Sequence, residues 1–351
     1  MIEPKFSIII PTAGRSTELY RCLSSIHKCI NNFNDFQVFI IDNNTDQLMS
    51  ERVVHICSSF PAFNYIFCDI PGLTSARHKA LEVTSSEILC FVDDDVIFSD
   101  SWFKSTINAF ENSNISLVGG PTLPYFSSTV PSWFWDFFSK TPFGGWSCSA
   151  LSLLDIGHDV HDIDPNWIWG LNFSIKRSVL LDCGGFHLDI VPSQYKPYQG
   201  DGETGLTLKL SSKGYKACYF QDSLLYHYCG SDRLNPSYFA KRSYFQGYCN
   251  AFTYLRHSIL TNSQKKLSLL AFYRIRLENS LRIFKYYIIL LLFGSFSKNK
   301  FGFSSRKIKL QCCLSEADGF DSFLKIVKAS SSLQRWVSKD NYLYTDYRDH
   351  A

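Results

Sequence analysis

The chain has 351 residues, 45% hydrophobic and 19% charged, which excludes a disordered chain or a coiled coil and leaves room for about two domains. Its 35 Lys and Arg stand against 32 Asp and Glu, and a net charge of +3 is too small to argue for a nucleic-acid partner. Aromatic residues reach 16%, a supply of stacking surface that suits sugar or membrane-interface contacts and equally a bulky core. Twelve Cys form no C-x-x-C pair. Most lie in apolar runs, such as Cys90 in ILCFVD and Cys68 in YIFCDI, as buried thiols of a reducing compartment do. No leader-like segment precedes Phe6, and the longest charge-free apolar stretch, Tyr286–Phe296, is short of the roughly 20 residues of a membrane span. Secretion and membrane insertion are therefore disfavoured, and a cytoplasmic protein is expected.

In chain order, Phe6–Pro11, Gln37–Asp42, Phe63–Cys68 and Ile88–Asp93 read as buried strands. Between the first two, Leu19, Cys22, Leu23, Ile26 and Ile30 recur at helical spacing behind Ser16 as N-cap. A second helix runs from Thr74 with Ala76, Ala80 and Leu81 inward. Alternation of this kind predicts an α/β fold with a mainly parallel sheet flanked by helices, whose ligands sit beyond Ile10, Ile41, Cys68 and Val92. From Pro121 to Trp169 the pattern breaks into Pro, Gly, Ser and five Trp (Trp133, Trp135, Trp146, Trp167, Trp169), a surface for acceptor sugars or a piece of core. Leu206 and Leu210 then share a helix face, with Gly214 as its C-cap. Near Ser231 the composition turns to long, aromatic, basic helical segments. The expected division is residues 1–230 as a catalytic domain and 231–351 as a mostly helical extension of unassigned role.

The residues that carry chemistry cluster at the strand ends. Asp93-Asp94-Asp95 follows a hydrophobic strand directly. Two carboxylates about 4 Å apart repel by roughly 4 kcal/mol at an effective dielectric near 20, so they remain ionised only beside a cation. Mg²⁺ or Mn²⁺ suits such oxygen ligands and leaves room for phosphate oxygens. The alternative is a solvated acidic turn before the next helix. On an extended backbone Asp93 and Asp95 share one side and Asp94 takes the other. Pro11, Thr12 and Arg15 close the first strand, and Asp42-Asn43-Asn44 closes the second with groups able to bind a base or ribose. Arg77 lies in the first turns of its helix, suitably charged for a diphosphate.

FSIIIPTAGR, IIDNNTD, GLTSARHKAL, FVDDDV, GLNFSIKRSVLLDCGGF and GDGETGLTLKL occur in the order and spacing of a known family. Over roughly residues 5–230 the chain resembles family 2 inverting glycosyltransferases with the GT-A fold. The resemblance implies a nucleotide-sugar donor, usually a UDP-sugar, held through Mn²⁺ or Mg²⁺ at an Asp-x-Asp motif. Asp95 and Asp93 resemble the metal-binding pair, Asp93 nearer the ribose, with Asp94 between them on the donor site. Pro11, Thr12, Arg15, Asp42, Asn44 and Arg77 stand where the family contacts nucleotide and diphosphate, although the Asn that usually follows the Arg is here His78. The segment containing Gly170 and Asn172 resembles the loop beneath the donor sugar. Glu203 falls at the catalytic acid position with Asp201 as a competitor one register away, and His227 resembles the His completing the metal or diphosphate shell.

The implied reaction is one displacement: Glu203 deprotonates an acceptor hydroxyl that attacks the anomeric carbon, inverting it. A glycan or lipid-linked acceptor fits such a role in polysaccharide, lipopolysaccharide or other glycoconjugate synthesis. Leu267–Phe296, with Arg274, Arg276, Arg282 and Lys285, is followed by Lys298, Lys300, Arg306, Lys307 and Lys309; this region either lies on an anionic membrane as a peripheral contact or packs on the catalytic domain. Two other readings compete. A nucleotidyltransferase would show a Gly-rich phosphate loop, and none is visible. A catalytically impaired sugar-nucleotide-binding protein would explain Gly202 where an acid often stands.

Overall fold

Strands buried on both faces carry no polar alternation, and the first four settle side by side. Residues 4–30, 32–187, 202–261 and 300–343 are described by the computed structural model, with residues 273, 276–278, 280–281 and 283–288. β1 (Phe6–Thr12), β2 (Phe36–Asp42), β3 (Asn64–Phe67) and β4 (Ile88–Val92) pair in parallel in the order β3-β2-β1-β4. Along β1, Ile8 and Ile10 enter one core while Ile9 enters the other, so each sheet face is sealed by its own cluster. The crossovers are α1 (Ser16–Ile30), α2 (Gln47–Ser58) and α3 (Leu73–Val83). Ser16 is the first helical residue rather than the cap, and α3 buries Ala76, Ala80 and Leu81 as the spacing predicts.

After β4 the chain turns through the Asp triplet into β5 (Val96–Phe98), then α4 (Trp102–Ala109), β6 (Ile115–Gly119) and β7 (Thr122–Phe126). The Trp-rich stretch supplies β8 (Ser139–Lys140), β9 (Trp146–Cys148), β10 (Leu153–Asp155) and β11 (Val160–Ile163). Next come β12 (Asn172–Lys176), α5 (Arg177–Asp182), α6 (Thr204–Ser212), β13 (Lys216–Tyr219) and β14 (Leu225–Cys229). The main sheet is completed as β11-β13-β6-β12-β4-β1-β2-β3, with β12 antiparallel to both its neighbours. A second, six-stranded sheet, β5-β14-β7-β10-β9-β8, has no counterpart in the sequence reading. Trp133 and Trp146 pack around Phe134 and Phe239, and Trp167 and Trp169 pack on the main-sheet core. Of the five Trp only Trp135 is largely exposed; the other four are partly buried against the two cores.

The C-terminal segment forms α7 (Pro236–Thr261), α8 (Lys300–Ala329) and α9 (Ser331–Val337). α7 and α8 meet backbone to backbone: a Cβ on Gly247 would lie 2.0 Å from the Glu316 carbonyl, and one on Gly319 would lie 2.0 Å from the Tyr244 carbonyl. Tyr342 N–H donates to the Gly184 carbonyl at 2.8 Å, tying the end of the chain to the segment after α5.

Candidate functional site

The Asp triplet is the link between the two sheets. β4 ends at Val92 in the main sheet and β5 begins at Val96 in the second, so the backbone turns where an extended strand was expected. Asp94 and Asp95 are consequently not on opposite sides: Arg15 Nη1 donates to Asp94 Oδ1 at 3.1 Å and to Asp95 Oδ2 at 2.6 Å. Asp94 also accepts from Thr12 Oγ1 at 2.7 Å. Burial, ahead of the opposing pull of Arg15, together with the charge of Asp95, pushes the Asp94 carboxyl up to about 7. For Asp95 burial acts in the same sense, but His227, Arg15 and Arg233 outweigh it and hold that carboxyl well below its ordinary value.

Two pockets open on either side of this turn. The first, about 530 Å³, is lined by Pro11, Thr12, Arg15, Asn44, Asp93 and Asp94 among others. Asp42 is not on its wall. That carboxylate is fully buried, with Oδ1 accepting from the Asn44 amide at 2.7 Å and Oδ2 from the Tyr65 hydroxyl at 2.9 Å, so it positions Asn44 rather than contacting a nucleotide. Asn44 in turn accepts from Gly14 N–H at 2.8 Å. Asn43, expected at the end of β2, also lines this pocket, as do Asp46 and Gly72, which were not singled out from sequence.

The second cavity, about 170 Å³, gathers Arg15, Arg77, Asp93, Asp95, Gly170, Glu203 and His227. Arg77 is 2% exposed; its Nη2 donates to the Gly170 carbonyl at 3.1 Å and its guanidinium lies 4.9 Å over the Phe186 ring. Asp93 stands 3.7 Å and Glu203 3.5 Å from the same guanidinium. Glu203 occupies the N-cap position of α6, yet caps nothing there; its Oε1 accepts from Gly170 N–H at 3.1 Å. Asp201, the competitor for the catalytic acid position, lies outside the described residues. Asn172 is absent from both pockets: Trp102 Nε1 donates to its Oδ1, and its Nδ2 donates to the Ser223 carbonyl at 2.8 Å, so it braces the fold. His78 likewise points away, accepting from Phe186 N–H at 2.9 Å and so holding the ring under Arg77.

His227 reaches the triplet through the second sheet, where β14 pairs with β5 and sets His227 opposite Val96. Its Nδ1 donates to the Leu151 carbonyl at 2.8 Å. The next residue, Ser152, has φ 51°, a strained conformation that fixes this turn on the cavity wall. Arg233, Tyr238 and Arg242, from the C-terminal region, line the same cavity, and sequence offered no local signal for them.

The donor chemistry here fits a divalent ion in one respect. Asp95 Oδ1 is buried without a hydrogen-bond partner, 3.3 Å from His227 Nε2. Arginines supply the positive charge around it, and no cluster of three or more His, Cys, Asp or Glu is spaced for an ion among the described residues.

A mixed α/β sheet flanked by helices, with carboxylates at the end of its fourth strand and pockets on both sides, defines a GT-A-like fold. Residues 7–149 of the chain match the family model Glycosyl transferase family 2. It is 23% identical over 179 residues to a glucosyl-dolichyl phosphate glucuronosyltransferase of Haloferax volcanii, covering 50% of this chain and 54% of that protein. It is 25% identical over 125 residues to the succinoglycan biosynthesis protein ExoM of Rhizobium meliloti, covering 33% and 40%. The chain thus spans about half the length, or less, of these relatives. In structure it is similar to the mannosyltransferase PcManGT from Pyrobaculum calidifontis in complex with GDP-Man and Mn²⁺, with a TM-score of 0.56 at 13% identity over 91% of this chain and 88% of that one.

Proposed function

We propose that the protein is an inverting glycosyltransferase that moves one sugar from a nucleotide-sugar donor to a hydroxyl of a glycan or lipid-linked acceptor. The observation that carries this reading is that Glu203, Arg77, Asp93 and Asp95 line one cavity, which adjoins a larger pocket lined by Asp93 and Asp94. The nucleoside occupies the first pocket, between the β1 and β2 ends, and the diphosphate lies over Arg77 and Arg15. Glu203 takes the acceptor proton; its carboxylate, fixed by Gly170 N–H, is oriented for that task. Asp95, Asp93 and His227 would hold Mn²⁺ or Mg²⁺, which neutralises charge on the leaving diphosphate when bound. The donor is a UDP-sugar by resemblance, while the structural neighbour carries GDP-Man, so both nucleotides belong in the assay.

The test is a panel of UDP- and GDP-sugars with Mn²⁺, read as acceptor-dependent nucleotide release with and without EDTA. Release should vanish with the chelator, and Glu203→Gln should lower it by roughly 10²–10⁴-fold while donor binding survives. Full turnover in Glu203→Gln removes the base assignment, and full turnover in EDTA removes the metal. The exposed apolar residues of the 273–288 stretch supply a surface for peripheral contact with an anionic membrane, where a lipid-linked acceptor is found.

A further inference from the structure

His227 Nδ1 faces a carbonyl oxygen, which only accepts, so Nδ1 carries the ring proton. On the other side of the ring, Arg233 Nη1 lies 2.7 Å from Nε2. The other end of the same guanidinium, Nη2, donates to Asp95 Oδ2. Asp95 Oδ1, buried without a hydrogen-bond partner, and His227 Nε2 stand 3.3 Å apart and are bridged by this one guanidinium, a seat that suits a cation. Arg233 supplies that cation. Its side chain is 12% exposed and comes from the short turn between β14 and α7, where Arg233 N–H donates to Gly230 and Leu234 N–H to Ser231. Arg242, on α7, lines the cavity beside it and carries no ion pair among the described residues.

We propose that Arg233 is a positioning residue that fills the cation seat of Asp95 and His227 in the ligand-free chain and passes to the nucleotide's diphosphate when a divalent ion enters. This rests on the nucleotide-sugar and metal reading above. A guanidinium and a divalent ion cannot share a seat this small, because like charges about 4 Å apart in a partly dry site repel by several kcal/mol. The displaced guanidinium remains over the cavity that Arg15, Arg77 and Arg242 already line, where a diphosphate oxygen pair suits its fork. Ion and nucleotide consequently bind as a coupled pair, the ion alone being held off by Arg233.

The experiment is Mn²⁺ titration of the full chain followed by EPR, without nucleotide and with GDP or UDP, in the wild type, Arg233→Gln and Arg233→Lys. Without nucleotide, Arg233→Gln should bind Mn²⁺ about tenfold or more tightly than the wild type, since the competing charge is gone. With Mn²⁺ saturating, the same variant should bind the nucleotide about tenfold more weakly. Arg233→Lys keeps the charge and should stay within a few-fold of wild type for Mn²⁺ alone. Should the glutamine variant fail to fold, Arg233→Leu carries the same expectations. Unchanged or weaker Mn²⁺ binding in the neutral variants, or tightening in the lysine variant as well, overturns the role of Arg233. A wild type that binds no Mn²⁺ even with nucleotide overturns the metal reading, and this inference falls with it.

Discussion

Gly170 shows how little room the site allows at the scale of one residue. A Cβ there would lie 2.8 Å from Arg77 Nη2 and 2.8 Å from Glu203 Cδ, inside the contact that holds the two together. Gly170→Ala should drive Arg77 and Glu203 apart and lower turnover by about 10²-fold, the usual consequence of misplacing a reacting group by an ångström. Stability should fall by only about 1–3 kcal/mol, the ordinary range for overpacking, so a thermal melt separates misplacement from unfolding. Turnover near wild type would show that the pair need not be held this way. Gly170 was legible in the sequence as part of a motif, and so were Arg77, Glu203 and His227. Asp42 was misread for a physical reason: a carboxylate closing a strand faces either a ligand or a neighbour, and Tyr65 on β3 had taken it. Arg233 gave no signal because nothing in its local sequence states that it folds back onto Asp95.

At the scale of elements, α3 and the segment after α5 are joined through one half-buried ring. His78 is held far down, to about 3, by burial first and by neighbouring Arg77 second, because its Nε2 must stay an acceptor for Phe186 N–H. A histidine depressed in the folded state favours folding above its unfolded value near 6.5, and this contribution is lost as pH falls from there toward 3. Urea unfolding at pH 7, 5 and 4 should show the wild type losing about 1.4 kcal/mol per pH unit more than His78→Gln over the acid part of that window. The glutamine keeps an acceptor for Phe186, so its own stability at pH 7 should be close to wild type. Parallel slopes in the two proteins would mean that His78 is not the group being protonated. The repeating strand–helix units that place α3 were readable because runs such as ILCFV are buried end to end. The second sheet was not, since β8, β9 and β10 are two or three residues long and lie among Trp and Ser that suit a loop as well.

For the whole molecule, the C-terminal helices do more than pack beside the two sheets. α7 gives Tyr238 and Arg242 to the cavity wall, so the site extends well beyond the stretch that matches the family model. Leu267–Phe296 is only partly described, and Arg274, Arg282 and Lys298 lie outside the described residues. Within it, Tyr273, Leu277, Leu281, Phe284 and Tyr287 follow helical spacing and are each more than half exposed, beside Arg276 and Lys285. No described helix is long and apolar enough to cross a membrane. Liposome flotation should recover the protein with vesicles containing anionic lipid at low salt and lose it when Leu277 and Phe284 are changed to Ser. Absence from the vesicle fraction at low salt would remove the membrane contact.

The link formed by the Asp triplet also bears on how the chain acquires its site. Arg233 and Asp95 are 138 residues apart, and β14 must find β5 before His227 or Arg233 can face the carboxylates. Joining so distant a pair costs loop-closure entropy that the local helices do not meet. Until that closure the carboxylates at the end of β4 lack their partners from the second sheet, and the pocket between the β1 and β2 ends stands without the cavity that His227 and Arg233 line.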